Sequence, residues 1–286
     1  MNSENTLMQI PVQRADWREF ELIDSGDGRK LERWGSTLVE RPEPKALWRP
    51  HDPELWKQAT AVCDAGENWT QPFRPQTLEW EQGIRFKLRM WQKSKHLGLF
   101  PEQEPHWRWI REQTQAGDRV ANLFAYTGSA SLVAAKAGAK VTHVDASDPA
   151  VRMARANAEL SGLADAPIRW IVEDVVTYLK REARRGSVYE GILLDPPSFG
   201  RGPRGQLWKI DAIAELLDLC AAVLSDRPKF VLLTMYNLEA SSLTLANLLE
   251  PLRRRGAQID IGELALKERH TERHLSLSLY GRVRWP

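Results

Sequence analysis

One short segment, residues 120–131, constrains the fold of this chain more than any other part of the sequence. Residues 120–123 read as a buried strand, Gly128 lies in the turn that follows, and a helix begins near Ser129. About twenty residues later, a second strand-like segment ends in Asp145. A strand, a glycine-containing turn, a helix and a second strand with a terminal carboxylate form half of a nucleoside-binding site.

Strand-like and helix-like segments alternate from residue 119 onward. The predicted strands are residues 119–126, 140–146, 168–173, 191–194, 229–235, 258–266 and 275–282, and the predicted helices are residues 129–137, 149–161, 175–184, 208–224 and 241–255. Such alternation predicts an α/β fold in which helices cover both faces of a mostly parallel sheet. The last two strands have no helix between them and should pair in antiparallel fashion.

The first third of the chain has a different character. After an irregular start over residues 1–16, it contains strand-like segments at 20–24, 29–34, 36–40, 77–80 and 84–90, and a short helix is predicted over 54–62. Turn residues join the strands as in β-hairpins. We therefore predict two domains, a small β-rich N-terminal domain over residues 1–92 and an α/β domain over residues 93–286.

The composition excludes several classes of protein. Lys and Arg total 40 against 38 Asp and Glu, so any nucleic-acid surface must be a local patch. The two cysteines, Cys63 and Cys220, are far apart and predict neither a disulfide framework nor a zinc site, and no metal is expected. The polar N-terminus and the lack of a long apolar run predict a cytoplasmic protein without membrane contact.

One predicted strand carries a strip of positive charge. Arg85, Lys87 and Arg89 alternate with apolar residues, so their side chains share one face of the strand. This face is a candidate for contacting the phosphates of a nucleic acid. A solvated strand protected by charge explains the same pattern, and both interpretations stay open.

The motifs together resemble a known family. A dinucleotide-binding protein would show G-x-G-x-x-G, whereas Gly128 stands alone here. The segments 95–103, 122–128 (Asn-Leu-Phe-Ala-Tyr-Thr-Gly), 144–147, 154–158, 173–174 and 194–199 (Leu-Asp-Pro-Pro-Ser-Phe) resemble the class I S-adenosylmethionine (SAM) methyltransferases. The branch is that of the bacterial large-subunit rRNA methyltransferases, which include cytosine-C5 and guanine-N7 enzymes. The resemblance implies a Rossmann-like, seven-stranded sheet.

The resemblance also implies which residues bind SAM and its product S-adenosylhomocysteine. They are Gln103, Phe124, Ala125, Tyr126, Thr127, Gly128, Asp145, Ala146, Ser147, Asn157, Glu173 and Asp174. Asp145 would bind the ribose and Asp174 the adenine amino group, while Glu102 and Gln103 would anchor the polar end of the cofactor. Acids at these places also serve as helix N-terminal charges or N-caps, which is the competing interpretation.

A rigid acidic rim is predicted where the fourth strand of the α/β domain ends. Asp195 is followed by Pro196 and Pro197, which fix the backbone and donate no hydrogen bond. The Asp195 carboxylate and the Pro196 carbonyl would face the methyl group, and Phe199 would stack on a planar substrate. An ordinary strand-ending turn is the alternative. Further candidates for substrate contact or catalysis are Arg201, Arg204, Tyr236 and Asn237.

The positions of the cysteines limit the chemistry. Methylation of cytosine C5 requires a thiolate nucleophile, and in the resembling enzymes that cysteine follows the fifth strand. Here the corresponding residues, 233–237, contain none. Methylation of a ring or exocyclic nitrogen needs only positioning and charge stabilisation.

We therefore expect SAM-dependent methylation of a nucleobase, with rRNA of the large subunit as the partner. A methyltransferase for a small molecule or a protein is the first rival, because the N-terminal domain has no excess of positive charge. A non-catalytic protein that binds SAM or RNA is the second.

Overall fold

The structure is a computed structural model that describes residues 11–91, 93–236, 240–253 and 256–286. The strands of the N-terminal part are β1 (Val12–Arg14), β2 (Phe20–Gly26), β3 (Arg29–Trp34), β4 (Thr37–Pro42), β5 (Ala61–Cys63), β6 (Trp69–Gln71), β7 (Gln76–Trp80) and β8 (Ile84–Leu88). The later strands are β9 (Arg119–Leu123), β10 (Lys140–Asp145), β11 (Ile168–Val172), β12 (Gly191–Leu194), β13 (Phe199–Arg201), β14 (Leu207–Lys209), β15 (Phe230–Tyr236), β16 (Gln258–Lys267) and β17 (His274–Arg284). The helices are α1 (Pro53–Trp56), α2 (Glu104–Gln113), α3 (Ser129–Lys136), α4 (Asp148–Leu160), α5 (Val175–Arg184), α6 (Ile213–Ala222) and α7 (Ser242–Arg253).

Within the described ranges, eight strands form one sheet in the order β1-β16-β17-β15-β12-β9-β10-β11. Five neighbouring strands of this sheet are parallel, in the order β15-β12-β9-β10-β11. Strand β17 runs antiparallel between β15 and β16. The predicted α/β fold, with its mostly parallel sheet and antiparallel final pair, is confirmed. Val12–Arg14 adds an eighth strand, parallel to β16, where the sequence predicts an irregular start.

The register of the central strands brings their carboxyl ends together. Leu123 at the end of β9 pairs with Val144 on one side and with Leu194 on the other. The residues of β12 are all buried, and so are residues 120–123 of β9, which fixes these strands in the interior. The loops after β9, β10 and β12 therefore leave the sheet side by side, as in other open α/β sheets that bind ligands at this edge.

Two predicted helices are wrong in part, because burial alternates from residue to residue there. In residues 207–209 only Trp208 is buried, so this segment forms β14 and pairs with β13, and helix α6 begins at Ile213. In residues 61–63 the outer two are buried, so β5 replaces the end of the helix predicted over 54–62. A period of two residues fits a strand and not a helix.

The N-terminal part rests against helix α4. Strands β2–β6 form a five-stranded sheet, and β7 and β8 form a separate hairpin. On β8, the backbone N–H of Arg85 donates to the Ser161 hydroxyl (2.9 Å), and that of Lys87 donates to Asn157 Oδ1 (2.9 Å). Apolar residues of this part continue into the core formed by α2, α3 and the large sheet. The domain boundary at residue 92 stays a prediction.

A buried ion cluster lies inside the N-terminal sheet. Glu32 is fully buried, and its carboxylate accepts from Arg41 Nε (2.7 Å) and the Trp34 indole (3.1 Å). Lys30 Nζ is 3.4 Å from the same carboxylate. Burial alone would raise the pKa of Glu32, but Arg41 and Lys30 hold this pKa below its ordinary value.

Glu32→Ala should destabilise the protein strongly, since it leaves the buried guanidinium of Arg41 without its carboxylate. We expect a loss of about 3–5 kcal/mol in the free energy of unfolding, measured by urea titration with tryptophan fluorescence. Glu54→Ala removes an exposed carboxylate that pairs with Lys57 and should cost less than about 1 kcal/mol. Equal losses in the two variants would contradict a stabilising role for the cluster.

Candidate active site

A cleft of about 550 Å³ opens at the carboxyl edge of the large sheet. Its walls come from the turn after β9, from the ends of β10 and β12, from the start of α5 and from the β13–β14 hairpin. The segment that connects the N-terminal part to α2 closes the remaining side. The lining residues are Trp91, Ser94, His96, Phe100, Phe124, Tyr126, Asp145, Ala146, Ser147, Asp174, Val175, Asp195, Pro196, Pro197, Ser198, Gly200, Arg201, Gly202, Trp208 and Tyr236.

The turn after β9 is held in a strained conformation by Asp145. Phe124 and Tyr126 have backbone φ angles of 57° and 48°, which residues with a Cβ rarely adopt. The Asp145 carboxylate accepts one hydrogen bond from the backbone N–H of Tyr126 (2.7 Å) and one from that of Ser147 (2.8 Å). Desolvation raises the pKa of Asp145, and the two N–H donors oppose that rise. Backbone strain of this kind clusters at ligand sites.

Two residues predicted to bind the cofactor lie behind the cleft. A Cβ on Gly128 would stand 2.9 Å from the Cβ of Ala154, so glycine is required there by the packing of α4 and by a φ of 89°. Asn157 is fully buried, and its amide donates to the Thr127 carbonyl (3.0 Å) while its oxygen binds β8. The structure thus gives both residues supporting positions behind the cleft, and their contact with the cofactor stays a prediction.

Of the two acidic residues after β11, Asp174 lines the cleft and Glu173 does not. Asp174 also caps α5, since its Oδ1 accepts from the backbone N–H and the hydroxyl of Thr177, both at 2.8 Å. Glu173 pairs with Arg181 (2.5 Å) and Arg204 (3.7 Å). Arg204, a predicted substrate contact, does not line the cleft, and its side chain is exposed.

Asp195 lies at the floor of the cleft in a polar network. Its Oδ1 accepts from the Thr234 hydroxyl (2.5 Å), and its Oδ2 lies 3.4 Å from Gln103 Nε2. The Gln103 amide also donates to the Tyr236 hydroxyl (3.1 Å). Desolvation raises the pKa of Asp195 to about 7, against the lowering effect of Thr234, and the nearby Glu102 and Asp145 add to the rise. Gln103 thus lies beside Asp195.

The rim beyond Asp195 is formed by prolines and a hairpin. Pro196 and Pro197 line the cleft, and the Pro197 carbonyl accepts from the Trp208 indole (2.6 Å). Phe199 is 52% exposed and does not line the cleft, although Arg201 on the same strand does. Phe199 is therefore not placed as the stacking platform that the sequence predicts.

Sequence reasoning missed two members of an aromatic wall opposite the rim, Trp91 and Phe100, which lie beside the predicted site residues Tyr126 and Tyr236. Trp91, Phe100, Tyr126 and Tyr236 line the cleft, and neighbouring rings have centroids 5.5–6.0 Å apart. His96 stands in the same wall, and desolvation, with Arg41 and Lys95 nearby, lowers its pKa to about 3. The available signal was the tryptophan content, because nine of the twelve tryptophans lie at or before Trp109.

The cationic strip lies apart from the cleft. Arg85 Nε pairs with Glu79 (2.8 Å), and the Arg89 guanidinium lies 4.3 Å from the ring centroid of Trp91. Arg85, Lys87 and Arg89 do not line the cleft, so only Arg89 reaches its wall, through Trp91. Asn237, a predicted catalytic residue, lies outside the described residues.

In residues 11–91, 93–236, 240–253 and 256–286, no three His, Cys, Asp or Glu side chains are grouped so that they could hold a metal ion. Over the same ranges, no helix has the length and apolar character needed to cross a membrane.

Comparison with known proteins gives consistent matches. A family model described as S-adenosylmethionine-dependent methyltransferase matches residues 56–217. The "Ribosomal RNA large subunit methyltransferase I" of Shewanella denitrificans is 31% identical over 197 residues, which are 66% of this chain and 48% of that protein. The "Ribosomal RNA large subunit methyltransferase K/L" of Shewanella frigidimarina is 37% identical over 127 residues, which are 43% and 17% of the two chains. This chain thus spans about half the length of such relatives or less.

Solved structures match over more of the chain. The crystal structure of the SAM-dependent methyltransferase from Agrobacterium tumefaciens has a TM-score of 0.91 and 40% identity, and the match covers 96% of this chain and 94% of that one. SMU.776, solved in complex with SAH, has a TM-score of 0.74 at 18% identity over 93% and 75% of the two chains, which shows a shared fold.

Thr234→Val should raise the pKa of Asp195 further, since the Thr234 hydroxyl stabilises the ionised carboxylate. Loss of a hydrogen bond to a charged group corresponds to a rise of about one pKa unit. Carbon-13 NMR titration of the Asp195 carboxyl would measure it. Thr142→Val on β10 is the matched control and should leave the midpoint unchanged. An unshifted midpoint in Thr234→Val would contradict the assignment.

Proposed function

We propose, from the premise that this chain belongs to the S-adenosylmethionine-dependent methyltransferase family, that it methylates a nitrogen atom of a nucleobase in ribosomal RNA. The observation that carries this proposal is the Asp195 carboxyl group at the floor of the cleft, next to two prolines and opposite an aromatic wall. The cleft joins a nucleoside-binding edge of the sheet to a surface on which a planar base can stack.

The residues around the cleft fit the cofactor, which supplies an electrophilic methyl group on a sulfonium sulfur. Each Asp145 oxygen accepts only one backbone hydrogen bond, and a carboxylate oxygen has room for a second. Asp145 therefore retains acceptors for two ribose hydroxyls. The protein hydrogen bonds of Asp174 both go to Oδ1, which leaves Oδ2 to accept from an adenine amino group. Phe124, Tyr126, Ala146 and Ser147 complete this wall.

Asp195 has the properties needed to orient an amino group. Its ionised carboxylate accepts a hydrogen bond from an N–H of the acceptor, which aims the nitrogen lone pair at the methyl group. The Pro196 carbonyl is a second acceptor on the same rim, and neither proline competes by donating a hydrogen bond. Because the pKa of Asp195 is about 7, the carboxylate can also take up the proton that the methylated nitrogen releases.

The positions of the two cysteines favour methylation of a nitrogen over methylation of cytosine C5. Cys220 is fully buried in α6, where desolvation raises its pKa, and Cys63 lies in β5 with a pKa of about 11. Neither thiol lines the cleft, and the sequence contains no other cysteine. Covalent activation of a pyrimidine ring requires a thiolate at the ring. A nitrogen acceptor needs no such nucleophile.

Ribosomal RNA is the substrate that the relatives' names support. The "Ribosomal RNA large subunit methyltransferase I" of Shewanella denitrificans is 31% identical over 197 residues, and the region that matches the family model, residues 56–217, includes the turn after β9 and the Asp195 rim. The aromatic wall of Trp91, Phe100 and Tyr236 supports an unstacked base as the acceptor, since bases stack on aromatic side chains. We place this activity in the cytoplasm, where ribosomal RNA is found.

Asp145→Asn and Asp195→Asn should separate cofactor binding from methyl transfer. Asp145→Asn removes charge-assisted acceptors and should weaken SAM binding about tenfold or more, measured by calorimetry. Asp195→Asn should leave SAM affinity nearly unchanged and slow transfer about a hundredfold or more. Asp148→Asn removes a nearby exposed charge and is the control. Weakened SAM binding in Asp195→Asn, or normal turnover there, would exclude the assigned roles.

Methyl transfer should label ribosomal RNA and depend on pH and salt. With tritiated SAM and rRNA from a strain that lacks the gene, the label should appear in an N-methylated nucleoside. The rate should rise with pH through about 7, as Asp195 ionises. RNA affinity should fall linearly on a logarithmic salt scale. Label found only in a protein or small-molecule fraction would favour the rival substrate class, and SAM binding without transfer would favour a binding protein.

A further inference from the structure

We propose that a second cavity, beside the active-site cleft, is an anion site that takes a phosphate group of the methyl acceptor. This assignment rests on the proposed function, because it concerns the substrate of the same site. The cavity has a volume of about 220 Å³ and lies between strands β3 and β4, the segment 95–102 and strand β17. It shares His96, Phe100 and Tyr236 with the cleft, so the two spaces adjoin at these side chains.

Four cationic side chains converge on this cavity, and two of them have a carboxylate partner. Lys30 Nζ lies 3.4 Å from both Glu32 and Glu43, and Arg41 binds Glu32. These pairs hold the walls together. Their charges are therefore largely balanced within the protein.

Lys45 and Lys95 are different, because each donates only to a backbone carbonyl. Lys45 Nζ lies 2.7 Å from the Leu277 oxygen, and Lys95 Nζ lies 3.1 Å from the Pro42 oxygen. Over the described ranges, neither ammonium has a carboxylate within ion-pairing distance. An ammonium group has three donors, so each retains donors for an anion.

The lining of the cavity carries more cationic than acidic side chains, Lys30, Arg41, Lys45 and Lys95 against Glu43 and Glu102. From outside the lining, Glu263 also acts on Lys45 and Glu67 on Lys95. Burial raises the pKa of Glu102, and desolvation lowers the pKa of His96 to about 3, so His96 adds no charge. Desolvation lowers the pKa of Lys45 and Lys95. Lys45 is exposed and Lys95 half-buried, and a bound anion would offset the partial desolvation of both ammonium groups.

The position of the cavity favours the acceptor over the cofactor. Its lining includes no residue of the turn after β9, and neither Asp145 nor Asp174, where the nucleoside of SAM would bind. Glu102, which the sequence predicts at the polar end of the cofactor, does line it, so the effect of each variant on SAM affinity has to be measured as well. It borders the cleft only at the aromatic wall, on which the target base would stack. Each nucleotide of an RNA carries a phosphate close to its base. Phosphate contacts fix the register of a nucleic acid, while the base contacts decide which base is modified.

Direct anion binding tests the site without any methyl transfer. Calorimetric titration with inorganic phosphate, against sodium chloride at equal ionic strength, should show one site per chain. Lys45→Gln and Lys95→Gln should each weaken phosphate binding about tenfold or more, since each removes a charge-assisted hydrogen bond. Lys57→Gln, an exposed lysine of the N-terminal part that pairs with Glu54, is the control and should bind as the original protein does. Unchanged affinity in both variants would overturn the assignment.

A kinetic comparison shows whether the cavity binds a group of the RNA or a group of the cofactor. Both variants should raise the KM for an rRNA fragment several-fold and leave the affinity for SAM unchanged. Weaker SAM binding in Lys95→Gln would assign the cavity to the carboxylate of the cofactor and contradict the proposal. If the protein methylates no RNA, the phosphate titration still decides whether the anion site exists. Failure of the anion-site proposal is therefore distinguishable from failure of the proposed function. Circular dichroism confirms that each variant is folded.

Discussion

The placement of one carboxyl group at the edge of a parallel sheet is the constraint on which the cleft depends. Asp195 leaves β12 where β9 also ends, and Thr234 donates to it from the neighbouring strand β15, which continues to Tyr236. Gln103, from the segment before α2, completes the contact on the other oxygen. Three separate parts of the chain therefore meet at this group. Its raised pKa follows from its removal from water, and that pKa is suited to accepting a proton.

The turn after β9 is supported from two sides. The Thr127 hydroxyl donates to the Gly98 carbonyl (2.5 Å), which ties the connecting segment to the turn. Asn157 joins the same turn to β8 of the N-terminal part. The N-terminal strands also supply Lys30 and Arg41 to the cationic cavity, which shares His96, Phe100 and Tyr236 with the cleft. The N-terminal part is thereby tied to the turn that lines the cleft.

Much of the fold could be predicted because periodicity and motif position agree there. The strands at Arg119–Leu123, Lys140–Asp145 and Gly191–Leu194 follow from apolar runs, and the order of the motifs placed Asp145 and Asp195 at one edge. The hairpin at 199–209 could not be predicted, because its glycines and arginines resemble a flexible loop. It forms around a buried Trp208 that packs on Phe124 at a centroid distance of 5.1 Å.

The site could be predicted less well where a role depends on contacts distant in sequence. Asn157 matches a family motif, yet burial against β8 gives it a supporting position. Gln103 lies next to Asp195 because of the path of the connecting segment, which no local pattern reveals. The aromatic wall and the cavity with Lys45 and Lys95 combine residues from both halves of the chain. Such sites appear only when the tertiary structure is known.

The most direct test of the central claim is an inventory of modified nucleosides in the large-subunit rRNA of a deletion strain. Mass spectrometry should show that one N-methylated nucleoside is absent, that the intact gene restores it and that a gene encoding Asp195→Asn does not. An unchanged inventory in the deletion strain, or full restoration by the Asp195→Asn gene, would contradict the account.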